Sequence, residues 1–279
     1  MCEFCVQHGD GKKWYLEASN YVADLTHDLE RREYMLDFVQ TFDDRMARNV
    51  KLLDAVKASP RPVRSVFRAI AGPRQVRDHF GQPVPIEECE RVFDIATSIT
   101  QLPCVCRHFA GTPERGYCLA VTVNPVDDIL AEAFSDYADG PDTPTLQRLT
   151  KAEAMALLRR CEDEGLMHSV WTFKTPMIAA ICNCDLASGC MAMRTTLHWE
   201  HKTMWKGEYV AEADAEACTG CRRCVEHCPF SAISIDAGTR RAFVDPHACY
   251  GCGVCRAACT ADALALTPRA EHPVAAGDW

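Results

Sequence analysis

The sequence predicts an α+β protein: a mainly helical N-terminal region, a cysteine-rich α+β middle domain, and a small C-terminal domain of short strands and cysteine loops. Three observations carry this. Residues 12–59 contain neither Gly nor Pro and repeat apolar side chains at threes and fours. The middle of the chain interleaves a capped helix with short apolar runs that have strand composition. From Glu208 onward, runs such as "AISI" and "ALAL" alternate with closely spaced cysteines.

In chain order, Val22, Leu25, Leu29, Met35, Val39, Phe42, Met46, Val50 and Leu53 predict one long amphipathic helix or a helical hairpin, its stripe facing the core rather than a dimer partner. Pro60, Pro62, Gly72, Pro73, Gly81 and Pro83 punctuate the next segment, residues 60–83. Within it Arg61, Arg64 and Arg68 recur at helical spacing, followed by Arg74 and Arg77. They read as a solvated helix face, with docking of an acidic partner or an anionic cofactor as the alternative.

Pro85 is placed to open a helix as its N1 residue, with Glu87 and Glu88 in the first turn. Cys89, Val92, Phe93, Ala96 and Ile99 share its inner face, and Pro103 should stop it near Leu102. "YCLAVTV" reads as a buried strand. Thr150 and Glu153 form a capping box for a helix ending at Gly165, and "LMHSVWTF" is the strand returning from it. The expected divisions are 1–82, 83–207, 208–267 and a frayed tail, 268–279.

The 18 cysteines among 279 residues set the chemistry. The chain is long enough to bury an ordinary core, so it is not a small secreted disulfide scaffold, and metal ligation is the better account. Thirty basic against 39 acidic residues, a net charge of −9, argue against nucleic acid as a partner. No apolar run is long enough to span a membrane, no leader-like segment opens the chain, and the Arg-Arg pairs lie in its interior. The expectation is a protein of the reducing cytoplasm.

Cys218, Cys221, Cys224 and Cys228, followed by Pro229, have the spacing C-x2-C-x2-C-x3-C, and Cys249, Cys252, Cys255 and Cys259 repeat it. A cubane needs four converging thiolates, three of which one tight loop can supply. With these motifs, residues 208–267 resemble a bacterial two-[4Fe-4S] ferredoxin domain. The resemblance implies that the fourth cysteine of each run crosses over: Cys218, Cys221, Cys224 and Cys259 hold one cluster, and Cys249, Cys252, Cys255 and Cys228 the other. Thr260 departs from the proline usual after the fourth cysteine. Gly220, Gly251 and Gly253 would let backbone amides approach the sulfurs, with Arg222, Arg223 and Arg256 nearby.

Six further thiols form a second group. Cys104 and Cys106 in "PCVCRH" and Cys182 and Cys184 in "ICNCD" are C-x-C pairs whose side chains, in extended backbone, project to one side. Two pairs make four ligands; Cys118 and Cys190 are substitutes, and His108 is a further candidate. We expect a third metal centre, iron–sulfur in preference to zinc because a chain that builds two clusters lives where iron and sulfide are supplied. The spacing selects no particular four of the six. Cys2, Cys5 and His8 in "MCEFCVQHG" are weaker candidates for metal, whereas Cys89 and Cys161 read as packed hydrophobes.

The upstream region is similar in general pattern to uncharacterised ferredoxin-like proteins of anaerobes that have a cysteine-rich N-terminal domain. No Rossmann fingerprint or P-loop is present. The expected function is single-electron transfer to or from a redox partner protein, a flavoprotein or another oxidoreductase. A reductase with its active site at the upstream centre, and a redox or metal sensor, are the alternatives.

Overall fold

The computed structural model describes residues 13–21, 28–112, 116–137 and 146–279. Two short 3-10 turns, Trp14–Leu16 and Ala18–Tyr21, precede the first helices, α1 (Leu29–Gln40), α2 (Phe42–Ala58) and α3 (Arg61–Asp78). Asp28 caps α1, its carboxylate accepting from the Arg31 amide at 3.0 Å. Of the two alternatives, one long helix or a helical hairpin, the single helix is excluded: two helices follow each other, divided at Thr41, and Val22 and Leu25 of the pattern lie outside the described residues. The Thr41 hydroxyl donates to the Asp37 carbonyl (2.7 Å), occupying an acceptor of the last turn of α1. Val39, Phe42 and Leu53 are buried. α3, with Pro62 in its first turn and Pro73 inside, has no buried residue.

The middle of the molecule is a six-stranded antiparallel sheet of β1 (Gly81–Pro83), β2 (Ser98–Leu102), β3 (Cys118–Thr122), β4 (Gln147–Leu149), β5 (Met167–Thr172) and β6 (Ile178–Cys184), in the order β1-β5-β6-β3-β2-β4. β1 crosses the boundary drawn after residue 82. Helix α4 (Ile86–Ile95) takes Pro85 as its N-cap and stops well before Leu102. The expectation of helix up to Pro103 is thus corrected. Residues 98–102 are strand, because β-branched Ile99 and Thr100 pair with β3 on one side and β4 on the other, which outweighs the helical spacing of the apolar residues. α5 (Val105–Ala110) follows β2, and α6 (Asp127–Ala133) follows β3.

α7 (Lys151–Asp163) begins with a complete Thr150–Glu153 capping box, and Gly165 beyond its end has φ 79°. α4 and α7 cover one face of the sheet, where Val92, Phe93, Leu157 and Leu158 meet Leu119, Val121, Val170 and Ile181. Cys89 and Cys161 are fully buried in this core. The other face receives Val39, Ala133, Phe134 and Tyr137. α8 (Met191–Leu197) follows β6.

Beyond residue 207 come β7 (Tyr209–Ala213), α9 (Arg223–His227), β8 (Ile233–Ile235), β9 (Ala242–Val244), α10 (Val254–Ala257) and β10 (Leu264–Pro268), with β7 paired to β10 and β8 to β9. This unit seats on the sheet edge. Residues just ahead of it bond to β1, the Gly81 amide to the Thr203 carbonyl (3.1 Å) and the Trp205 amide to the Gly81 carbonyl (2.9 Å). Arg256 of α10 pairs with Glu87 of α4 at 2.5 Å.

The tail is packed, not frayed. Arg269 is 0% exposed and donates to the carbonyls of Gly207 (2.7 Å), Tyr209 (2.9 Å) and Cys249 (2.7 Å), so a buried guanidinium finds carbonyl partners in place of water. Among the described residues no helix is long and apolar enough to cross a membrane.

Candidate iron–sulfur sites

In the C-terminal unit, one small cavity is lined by Cys218, Cys221, Cys224 and Cys259, and a second by Cys228, Cys249, Cys252 and Cys255. Each set takes three thiols from one loop and the fourth from the other run. Backbone amides aim at the sulfurs in matched pairs. Ala242 donates to Cys218 (3.3 Å) as Ala211 does to Cys249 (3.4 Å), and Ala232 donates to Cys228 (3.3 Å) as Ala263 does to Cys259 (3.4 Å). Such bonds stabilise sulfur carrying negative charge and so raise the reduction potential of a cluster bound there. Gly251 has φ 72° and lies against the Tyr209 carbonyl, which leaves no room for a Cβ.

The two pockets differ in exposure. Cys221 is exposed, and the Arg223 amide, followed by the Thr219 side chain, lowers its pKa. Cys252 is buried, and desolvation holds its pKa well above the ordinary thiol range. Four thiols around each cavity suit a cubane. Among the described residues, these eight included, no three His, Cys, Asp or Glu side chains converge as a single metal ion requires.

The six upstream thiols gather at one end of the large sheet. β3 and β6 pair with Leu119 opposite Ile181 and Ala120 opposite Ala180, a register that brings Cys118 opposite Cys182 at the strand ends. Strand alternation sends Leu119, Val121 and Ile181 to the main core and leaves Cys118, Cys182 and Cys184 on the other face. Cys104 and Cys106 arrive differently from expectation: Cys104 is the N-cap of α5 and Cys106 lies in its first turn, so this pair is presented by a helix start, not by extended backbone. Cys190 is the N-cap of α8.

Between β6 and α8 the chain turns tightly through Gly189, at φ 88°, where an added Cβ would strike Ala110 of α5. Thr112 donates to the Ser188 carbonyl at 2.9 Å and holds the turn there. Cys104 is the hub: thiols of Cys106, Cys118 and Cys184 bond to it and hold its pKa well below the ordinary thiol range, while Cys106, Cys118 and Cys184 are raised by the same bonds. Metal binds thiolates, so loading metal among these thiols would release protons.

Around this group Asn183, between Cys182 and Cys184, donates to the Tyr117 carbonyl and accepts from His168 Nδ1 at 2.6 Å. Burial takes the pKa of His168 down to about 4. Glu162 lies 3.9 Å from His168 Nε2. Arg107 is buried over the Tyr117 ring. His108 turns to Asp43 (3.1 Å) and is exposed. Cys2, Cys5 and His8 lie outside the described residues. Cys184, Cys190 and Cys252 share one buried apolar cluster with Met167, Met193 and Met204, which sets the upstream thiols beside the second ferredoxin pocket.

Sequence reading missed a cavity of about 420 Å³ beneath α3 that reaches Cys106 and Met191. Its walls come from α1, α2, α3, α5, β5 and α8, which no local signal links. Of the arginine series, Arg64 and Arg68 face Glu200 (3.8 and 2.5 Å), while Arg74 and Arg77 face Asp78 (3.9 and 2.8 Å).

Residues 183–263 match the family model of the 4Fe-4S dicluster domain. The chain carries a C-terminal ferredoxin-type domain with an iron–sulfur electron-transfer role. The match opens inside β6 and so spans Cys184 and Cys190 as well as the eight ferredoxin cysteines. No match is found among curated proteins.

Proposed function

We propose that the protein passes single electrons between a partner oxidoreductase and a third, cysteine-ligated iron–sulfur centre by way of two [4Fe-4S] clusters. Cys218, Cys221, Cys224 and Cys259 would hold one cluster, and Cys228, Cys249, Cys252 and Cys255 the other; each cluster supplies reversible one-electron chemistry. Four of Cys104, Cys106, Cys118, Cys182, Cys184 and Cys190 would hold the third centre. The partner is a flavoprotein or similar oxidoreductase, and the thiol load suits a reducing cytoplasm.

The observation that carries this reading is the meeting of six thiols from β3, β6 and the starts of α5 and α8, with Cys184 and Cys190 in one apolar cluster with Cys252 and Cys182 linking them to Cys104 and Cys118. Packing alone does not call for six sulfurs in mutual contact, since buried cysteine ordinarily serves singly as a small hydrophobe. Protein purified without oxygen should contain about 12 iron atoms, against about 8 from the ferredoxin pair alone. The double variant Cys104→Ser/Cys184→Ser should fall to the lower value with its other EPR signals intact. Unchanged iron in that variant would refute the third centre. The cavity reaching Cys106 favours a second reading, in which this centre delivers electrons to a bound substrate.

A further inference from the structure

We propose that the cavity beneath α3 binds a flat aromatic molecule carrying one anionic group, its ring seated among Phe38, His79 and Trp171 and its charge toward Arg45 and Arg74. The volume, about 420 Å³, lies within the range of small-molecule sites, which combine apolar walls with a few polar groups. His79 and Trp171 stack with centroids 5.0 Å apart and planes at 24°, and Phe38 lies 4.6 Å from His79. Rings so arranged offer faces and edges to another ring.

His79 is neutral. Its Nδ1 donates to the Thr172 carbonyl at 2.5 Å, and burial takes its pKa down to about 4, so the stack is an uncharged wall. Charge enters through the guanidinium groups. Arg45 stands 5.4 Å over Phe38 and pairs with Asp37 at 3.2 Å. Arg74 is only loosely held by Asp78 at 3.9 Å, and Asp78 already faces Arg77 and Lys174. Among the described residues, Arg45 and Arg74 thus line the cavity together with a single carboxylate, that of Asp78, and a planar fork suits a carboxylate or phosphate.

α3 gives the second, independent argument. It roofs the cavity with Phe67, Ala71, Arg74 and Gln75 yet buries no residue fully; Phe67 and Val76 pack only partly against neighbouring clusters, and the face between them borders the void. Its attachments include Phe67 beside His201, with centroids 5.4 Å apart, the Arg64 and Arg68 pairs with Glu200 and, at its C-terminal end, the Lys174 and Thr175 amides on the carbonyls of Asp78 and Arg77 (both 2.9 Å). An occupying ring would give that face apolar contact. The site ends at Cys106, so the redox meaning of the bound molecule rests on the proposed third centre. Binding itself does not.

The test is calorimetric titration of the oxygen-free holoprotein with 2-naphthoate and with 2-naphthol. The expected result is one equivalent of 2-naphthoate bound, about tenfold or more in Kd ahead of the uncharged naphthol, a tenfold step corresponding to about 1.4 kcal/mol. Ala71→Trp should fill the cavity and abolish binding. Arg45→Gln, which adds no bulk, should weaken 2-naphthoate about tenfold and leave 2-naphthol unchanged. Absence of saturable 2-naphthoate binding at millimolar concentration, or equal binding by the Ala71→Trp protein, would overturn the site; equal affinity for the two probes would overturn the anionic element. Failure of the third centre would appear instead as low iron, with the titrations unaffected.

Discussion

Arg222 adopts φ 70° at the start of α9, in the left-handed region, where the equivalent residue of the second cysteine run is Gly253 at φ 83°. An arginine held there is strained by roughly 1 kcal/mol or more, which glycine avoids at some cost in unfolded-state entropy. Arg222→Gly should therefore raise the midpoint of thermal cluster bleaching slightly or leave it unchanged, and a marked fall would mean that the guanidinium itself steadies the cluster. Glu162 makes the opposite kind of argument. Burial, and then Glu87, push its carboxyl up from 4.5 to about 7, while neighbouring His168 is neutral, so the two do not form a charged pair. A carboxyl whose folded pKa is raised stays protonated in the fold after the unfolded chain has ionised. Its contribution is hence present below the unfolded value of 4.5 and is lost as pH climbs through about 7. Glu162→Gln removes that loss. Its apparent Tm should match wild type in acid and exceed it above neutrality by the equivalent of about 1–2 kcal/mol after solvent screening is discounted; a gap that stays constant with pH would show that the carboxyl titrates normally.

At the scale of elements, α7 shows what local chemistry decides. Its capping box was legible because Thr150 and Glu153 satisfy each other within one turn, with Thr150 accepting from the Glu153 amide and the Glu153 carboxylate accepting from the Thr150 amide at 2.8 Å. Thr150→Ala should cost about 1 kcal/mol, read as a lower Tm with unchanged iron content; equal stability would mean that packing alone starts the helix. The grouping of the C-terminal cysteines around two cavities follows from equally local spacing, since one loop supplies three thiols of each four. β2 was not legible. Ala96 and Ile99 continue the helical pattern of α4, and only pairing with distant β3 and β4 makes 98–102 a strand. That error carried into the candidate site: the C-x-C pair on β6 acts by strand alternation, whereas Cys104 and Cys106 reach the same place from a helix start. The cavity lay beyond sequence reasoning altogether, because α5, β5 and α8 join the consecutive helices α1–α3 from distant parts of the chain to build it and none of them signals a void.

Across the whole molecule, the ferredoxin unit and the large sheet are tied together on the side of the second pocket. Gly207 fits between the carbonyls of Pro83 and Tyr250, where a Cβ would lie 2.6 and 2.9 Å from them. Arg269 binds the carbonyl of Cys249 from behind. Cys252, Cys184 and Cys190 then fall within one apolar cluster, whereas the pocket of Cys218, Cys221, Cys224 and Cys259 keeps an exposed thiol. This arrangement orders the proposed centres: the upstream centre next to the Cys252 cluster, and the Cys221 cluster beyond it toward solvent and a partner. Magnetic coupling between reduced centres falls steeply with distance, so the order has a spectroscopic consequence. In the fully reduced holoprotein the EPR signal of the third centre should be split or broadened by its neighbour. Cys252→Ser, which removes or converts the adjacent cluster, should sharpen that signal, and Cys221→Ser should leave it nearly as it was, with iron content confirming in each case that the other centres survive. Sharpening by Cys221→Ser alone would reverse the order and place electron entry at the Cys252 side.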